Sequence, residues 1–179
     1  MRRLPGDPTE QQEVEQMIRV DQAGEYGAIR IYAGQLAVLR KGTRARKIVE
    51  HMAGQEQRHL ETFNGLMRER KVRPTALMPL WHVAGFALGA MTALMGEKAA
   101  FACTAAVESV IDGHYAGQQQ RLSKNESALA ETISTFRAEE MEHHDTSLAQ
   151  GAEEAPLYPL LTGAIKGASR LAIWLSTRF

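Results

Sequence analysis

The sequence predicts an all-α fold: a four-helix bundle of two helical hairpins, joined by a long apolar crossover and followed by a C-terminal amphipathic helix. Three observations predict it. None of the six prolines falls between Thr9 and Arg73. Apolar residues recur every three or four positions along the chain, the period of a helix. A Glu followed about thirty residues later by Glu-x-x-His occurs twice, at Glu25 with Glu56 and His59 and at Glu108 with Glu140 and His143. The 179 residues fill one domain and not two, so a single domain over 1–179 is expected, with 1–9 as a flexible lead.

Thr9 with Gln12 reads as a capping box opening the first helix, which runs to about Arg40, ahead of Gly42. Its inner stripe is Val14, Ile18, Asp21, Glu25, Ala28, Tyr32, Leu36 and Leu39. The second helix, from about Ala45 to Arg70, carries Ile48, Met52, Glu56, His59, Phe63 and Leu66 on one face and stops before Pro74. The third, from about Lys98 to Leu122, presents Phe101, Thr104, Glu108, Ile111 and Tyr115. Ser123 with Glu126 forms an expected second capping box, and the fourth helix runs to about Ala149 through Leu129, Ile133, Phe136, Glu140, His143 and Ser147. A last helix is expected after Pro156 and Pro159. Both hairpins share one design, since Tyr32 and Tyr115 each follow their helix's Glu by seven residues, two turns along the same face.

Composition removes several function classes. Lys+Arg and Asp+Glu balance at 21 each, so no overall field draws the chain to nucleic acid. A single cysteine, Cys103, cannot build an internal disulfide, a four-thiolate zinc site or a thiolate-held iron–sulfur cluster. The opening MRRLPGDPTE has no apolar stretch of the kind targeting signals use, so a reducing compartment is expected.

Glu25, Glu56, His59, Glu108, Glu140 and His143 all occupy slots that apolar residues would otherwise fill. A lone Glu in such a stripe is ordinarily an edge residue with a solvated head, and a lone His a hydrogen-bonded core residue. Four carboxylates converging in one core would instead repel one another and each carry a desolvation cost of several kcal/mol. Two divalent cations cancel those charges, and one Glu from each of two helices with Glu-x-x-His from each of the others is the ligand set of ferritin-like di-iron and di-manganese bundles. Oxygen and imidazole donors without thiolate suit iron or manganese, and two carboxylate-bridged iron ions are the expected cofactor. Glu139, Glu142 and His144 are register alternatives off the stripe. Asp21, one turn before Glu25, reads either as an acceptor that orients a ligating histidine or as a surface acid, and Asp145 and Arg58 stand the same way.

Between Arg73 and Glu97 lie 23 residues without formal charge, PTALMPLWHVAGFALGAMTALMG. A membrane span there would split the six ligands across a bilayer. The readings that remain are a buried crossover or a segment lying in a membrane interface. Gly85 and Gly89 form a small-xxx-small pair suited to close helix approach. The end of the chain places Leu160, Leu161, Ile165, Leu171 and Trp174 beside Lys166, Arg170 and Arg178, so residues 157–179 fit either an anionic membrane surface or the bundle.

Specific runs go beyond the ligand pattern. IRVDQAGEYGA around Glu25, RIYAGQ, the EQRH block, VRPTALMPLW, GFALGA, ACTAAVE, EEMEHHD and RLAIWLSTRF together resemble the demethoxyubiquinone hydroxylases of ubiquinone biosynthesis, from about Met17 to Phe179. Ile29 and Ser109 depart from the residues usual in that family, Asn and a second acid, without touching a ligand position. The resemblance implies a peripheral membrane monooxygenase that hydroxylates a polyprenylated demethoxyquinol with dioxygen and two electrons. It implies that the six residues above are iron ligands and that His114 and Tyr115 serve the substrate or electron delivery; helical geometry favours Tyr115, which shares the Glu108 face. No nucleotide-binding motif is encoded, so the electrons come from an external donor, with NADH, a reductase and the quinol itself as the candidates. The implied partners are the quinol, dioxygen, the membrane surface, a lipid-binding accessory protein, other ubiquinone-biosynthesis enzymes and a second copy of the chain. The implied location is the cytoplasmic face of a bacterial inner membrane, or the matrix face in a mitochondrion. A ferroxidase or peroxide-handling iron protein, and a metal-free membrane adaptor, are the alternatives.

Overall fold

The computed structural model describes residues 6–179. Among these residues six α-helices follow one another: α1 (Glu10–Val38), α2 (Arg44–Arg70), α3 (Met78–Leu94), α4 (Glu97–Gln119), α5 (Ser127–Ala149) and α6 (Tyr158–Ser176). Residues 1–5 of the expected flexible lead lie outside the described residues, whereas Thr9 is the ordered N-cap of α1. Its hydroxyl accepts from Gln12 N at 3.2 Å while Gln12 Oε1 accepts from Thr9 N at 2.8 Å, the expected capping box.

α1 packs on α2 and α4 on α5, as two hairpins. Two apolar plugs fill the bundle. One gathers Tyr32, Leu39, Val49, Met52, Phe101 and Ala105; the other gathers Val14, Ile18, Phe63, Tyr115, Leu129 and Ile133. The polar positions of all four helices fall between the plugs in one dry layer.

The expected capping box at Ser123 and Glu126 does not form. Arg70 takes the Glu126 carboxylate in a two-pronged pair of 2.9 and 2.7 Å, residues 124–126 turn as a single 3-10 helix, and the buried Ser123 hydroxyl bonds to neither. A long-range charged pair outbids the local cap. α6 begins before Pro159, which sits in its first turn where a missing N–H costs nothing.

The uncharged crossover is largely helical. α3 lies along α1, and glycines set how near: a Cβ on Gly89 would stand 1.9 Å from the Ile31 carbonyl oxygen, and one on Gly34 would stand 2.1 Å from that of Phe86. The Gly85/Gly89 pair therefore does mark a close helix approach. α6 packs on α4, and Trp81 Nε1 donates to Ser176 Oγ at 3.1 Å, joining α3 to α6. Among the described residues, no helix is long and apolar enough to cross a membrane. α3 nonetheless turns apolar side chains outward as well as inward, with Val83 65% and Leu94 74% exposed.

Candidate metal centre

The six predicted residues meet. Glu25 from α1, Glu56 and His59 from α2, Glu108 from α4, and Glu140 and His143 from α5 are all buried in the polar layer. They form two groups of four whose donor atoms lie within 4.8 Å of one another: Glu25, Glu56, His59 and Glu140, and Glu56, Glu108, Glu140 and His143. Glu56 and Glu140 belong to both. Each group could hold one divalent ion, with Glu56 and Glu140 available to both. The register alternatives fall away, since Glu142 and His144 lie off the cluster and His144 Nδ1 instead pairs with the exposed Asp145 at 3.0 Å.

The surroundings repeat across the two hairpins. Tyr32 of α1 donates to Glu108 Oε1 at 3.1 Å, and Tyr115 of α4 donates to Glu25 Oε1, so each hairpin's tyrosine holds the other hairpin's Glu. The histidines follow the same rule through Gln55, which sequence reasoning missed, and Glu139, which it read only as a register alternative for a ligand. His59 Nε2 donates to Glu139 Oε2 at 2.8 Å, and His143 Nε2 donates to Gln55 Oε1 at 3.1 Å. Gln55 and Glu139 each stand immediately before the Glu of a Glu-x-x-His, and that shared offset was the available signal. Such partners fix which nitrogen faces the ligands, and losing one typically costs about 10–100-fold in metal affinity.

The inward nitrogens point at the carboxylates. His59 Nδ1 is 3.1 Å from Glu140 Oε1 and 3.4 Å from Glu25 Oε2; His143 Nδ1 is 3.2 Å from both Glu56 Oε1 and Glu140 Oε2 without being aligned for a hydrogen bond to either. Glu56 Oε1, Glu140 Oε2 and His143 Nδ1 are thus buried donor atoms lacking a hydrogen-bond partner. Burial and the facing carboxylates, first Glu140 and then Glu25 and Glu108, push Glu56 well above the carboxylate range; burial and Glu140 do the same to Glu108. Burial opposes charge on His59, but Glu140 and Glu25 override it and raise the imidazole to about 10. Burial also opposes charge on Glu140, where attraction to the His143 and His59 imidazoles wins and lowers it to about 2. Without cations, protons do the neutralising. Orphaned donor atoms, paired carboxylates and imidazoles held by their outer nitrogens together fit two divalent ions of the iron or manganese type.

Asp21 and His114 form a separate polar cluster. His114 Nε2 donates to Asp21 Oδ1 at 3.1 Å, and Gln118 Nε2 donates to the same oxygen at 2.7 Å. Burial raises the Asp21 pKa while His114 and Gln118 hold it back. Asp21 is therefore neither a surface acid nor the partner of a ligating histidine. Tyr115 faces the carboxylate layer, and His114 does not. Arg58 is mostly exposed and reaches Glu139 at 3.6 Å.

The chain is 57% identical over 176 residues to a 3-demethoxyubiquinol 3-hydroxylase of Rhodospirillum rubrum, covering 98% of this chain and 83% of that protein. It is 51% identical over 169 residues to the human NADPH-dependent 3-demethoxyubiquinone 3-hydroxylase, mitochondrial, covering 92% and 77%. Identity to the 5-demethoxyubiquinone hydroxylase, mitochondrial, of Saccharomyces cerevisiae is 42% over 181 residues, covering 92% and 78%. The model of the family described as ubiquinone biosynthesis protein COQ7 matches residues 12–176, so a chain with this paired-hairpin carboxylate centre belongs to the COQ7 family of ubiquinone biosynthesis proteins.

Proposed function

We propose that the chain is a di-iron monooxygenase that hydroxylates the ring of a polyprenylated demethoxyubiquinol in ubiquinone biosynthesis, using dioxygen and two electrons from a reduced pyridine nucleotide. Hydroxylation of this ring is the activity named for its relatives, and NADPH is the donor named for several of them. The observation that carries the di-iron reading is the pair of four-ligand groups sharing Glu56 and Glu140. The reaction balances as quinol ring C–H, dioxygen, reduced nucleotide and one proton giving ring C–OH, oxidised nucleotide and water.

Bound in those groups, iron supplies one-electron chemistry toward dioxygen that side chains lack. The chain's own residues shape the rest. Tyr32 and Tyr115 orient Glu108 and Glu25, and both phenols keep their protons because burial and the neighbouring carboxylates raise them well above the usual tyrosine range. Glu139 and Gln55 aim the two imidazoles. A cavity of about 170 Å³ lies between α1 and α4 on one side and α3 and α6 on the other, lined by Gly24 and Val107, the chain neighbours of Glu25 and Glu108, and by Gly27, Ile31 and Ile111, with Trp81 and Gly85 opposite. These small and apolar walls suit a ring carrying a prenyl tail and keep water from it.

The outer faces of α3 and α6 support delivery from a bilayer. Leu80, Val83, Met91 and Leu94 of α3 stand exposed, as do Leu160, Leu171 and Trp174 of α6, with Arg170 and Arg178 beside them. So much outward apolar surface marks an interaction face, and basic residues beside Trp fit the headgroup level. The chain thus sits on a membrane through both helices, at the cytoplasmic face in a bacterium. Truncating α6 would expose Ile165, which the core holds, so charge insertion is the cleaner probe. Val83→Asp/Leu94→Asp and Leu160→Asp/Leu171→Asp should each release the protein from anionic vesicles in a flotation assay; full retention by both variants would rule out this face.

The oxygen source tests the chemistry directly. With labelled dioxygen and a demethoxyquinol, the reduced enzyme should place one labelled atom in the product, whereas label arriving from water would contradict a monooxygenase.

A further inference from the structure

The two four-ligand groups are alike in their donors. Each offers three carboxylates and one imidazole, two of the carboxylates being the common pair Glu56 and Glu140. A phenol reaches the unshared carboxylate in both, Tyr115 at Glu25 and Tyr32 at Glu108. The difference lies one partner further out. The outer nitrogen of His59 donates to an acid, Glu139, at 2.8 Å, whereas that of His143 donates to a neutral carboxamide, Gln55, at 3.1 Å. Glu139 and Gln55 hold corresponding places, each immediately before the Glu of a Glu-x-x-His, so the same slot carries an acid in one hairpin and its uncharged isostere in the other. The rings are also seated differently. His59 stacks on Phe136 with centroids 3.9 Å apart and planes 23° from parallel. His143 instead lines a cleft of about 250 Å³ between α2 and α5, on the side of the bundle away from α3 and α6.

We propose that the two metal positions are inequivalent: the Glu25–His59 position takes a divalent ion first and holds it more tightly, and the Glu108–His143 position is the exchangeable one. The proposal rests on the two-metal reading above and adds the order in which the ions enter. An imidazole whose N–H is shared with a carboxylate is a stronger donor through its other nitrogen, because the positive charge drawn onto the ring meets a fixed negative one. A carboxamide oxygen offers only a dipole. Arg58 competes for Glu139 at 3.6 Å, but that arginine is 61% exposed and screened by solvent, so the ring N–H at 2.8 Å has the stronger claim. Charge further out acts in the same sense. Glu139 adds an acid at the edge of its own group, while the cleft beside His143 carries Arg44 and Lys47 against a single acid, Glu142, which disfavours a cation there. Stacking on Phe136 also holds the His59 ring in place, so less freedom is lost when an ion arrives.

Titration of the chelator-stripped full chain with Co²⁺, read by the absorption of the bound ion, tests this. Two ions sharing carboxylates repel each other and split the binding steps in any case, so variants that keep one group whole carry the comparison. Glu108→Gln leaves the Glu25–His59 group whole, and Glu25→Gln leaves the Glu108–His143 group whole. The first should hold its ion at least about tenfold more tightly than the second, the lower end of what an outer partner is worth. Exchanging the outer partners should then move the affinities. Glu139→Gln added to Glu108→Gln should weaken binding about tenfold, and Gln55→Glu added to Glu25→Gln should strengthen it. Glu139 is partly exposed and Gln matches its shape, so that exchange should leave the fold intact, which a thermal melt checks; if Gln55→Glu melts early, the Glu139→Gln arm decides alone. Equal affinities in the two single variants, the opposite order, or no loss on Glu139→Gln would overturn the proposal while leaving the two-metal reading in place. An unmodified chain that fails to take up two Co²⁺ would overturn both.

Discussion

Glu56→Gln is expected to empty both metal positions at once, because Glu56 belongs to both four-ligand groups, whereas Glu108→Gln removes a donor from one group only. Loss of an outer partner alone costs about 10–100-fold in metal affinity, so a shared ligand should cost more than about 100-fold, and hydroxylation should fall with it. Stability should move the other way. In the metal-free chain the folded pKa of Glu56 lies above its unfolded value, so the group destabilises the fold as pH rises from about 4.5 toward that raised pKa. Gln removes that penalty, and the metal-free variant should gain on the order of 1 kcal/mol at neutral pH. His59 has the opposite sign: raised to about 10, it contributes stability that is fully present below about 6.5 and lost as pH climbs through 10. Metal displaces these protons, so loading should acidify a weakly buffered solution and tighten with pH. Metal analysis, pH indicator and thermal melts read all three effects. A Glu56→Gln protein that keeps one tightly held metal while Glu108→Gln keeps none would refute the shared-carboxylate arrangement.

Gly89→Val should be the most damaging single change outside the metal layer. Its Cβ would stand 1.9 Å from the Ile31 carbonyl oxygen, and backbone on backbone offers no flexible end to move aside. α3 must lift off α1, at roughly 3 kcal/mol, the upper part of the range for overpacking. α3 supplies no ligand, so metal content should survive, but the cavity wall built from Trp81, Gly85 and Leu88 shifts and hydroxylation should drop with it. Gly54→Ala is the control: nothing lies within 4 Å of its Cβ, and a helix-interior alanine should stabilise by about 0.5–1 kcal/mol. Urea titration compares the two. Equal stability of Gly89→Val and the unmodified protein would mean that α3 is not seated as described.

Local signals served well wherever a residue's neighbours in sequence decided its place. The Thr9 and Gln12 capping box and the Glu140 and His143 register follow from residues three or four positions apart, and both hold in the structure. The cap at Ser123 failed because Arg70, 56 positions away from Glu126, competes for the same carboxylate. Asp21 was ambiguous for a similar reason: its partner His114 is 93 positions distant.

By itself the sequence determined which face of each helix turns inward, and hence that four carboxylates and two imidazoles share one buried layer, because a 3.6-residue period ties position to direction. Only the tertiary structure decided who holds whom: Tyr32 on Glu108, Tyr115 on Glu25, Glu139 on His59 and Gln55 on His143. It also seated α3 against α1 and left clefts on opposite sides of the centre. Those pairings join helices far apart along the chain, and periodicity carries no information about the distance between two helices or the rotation of one against another.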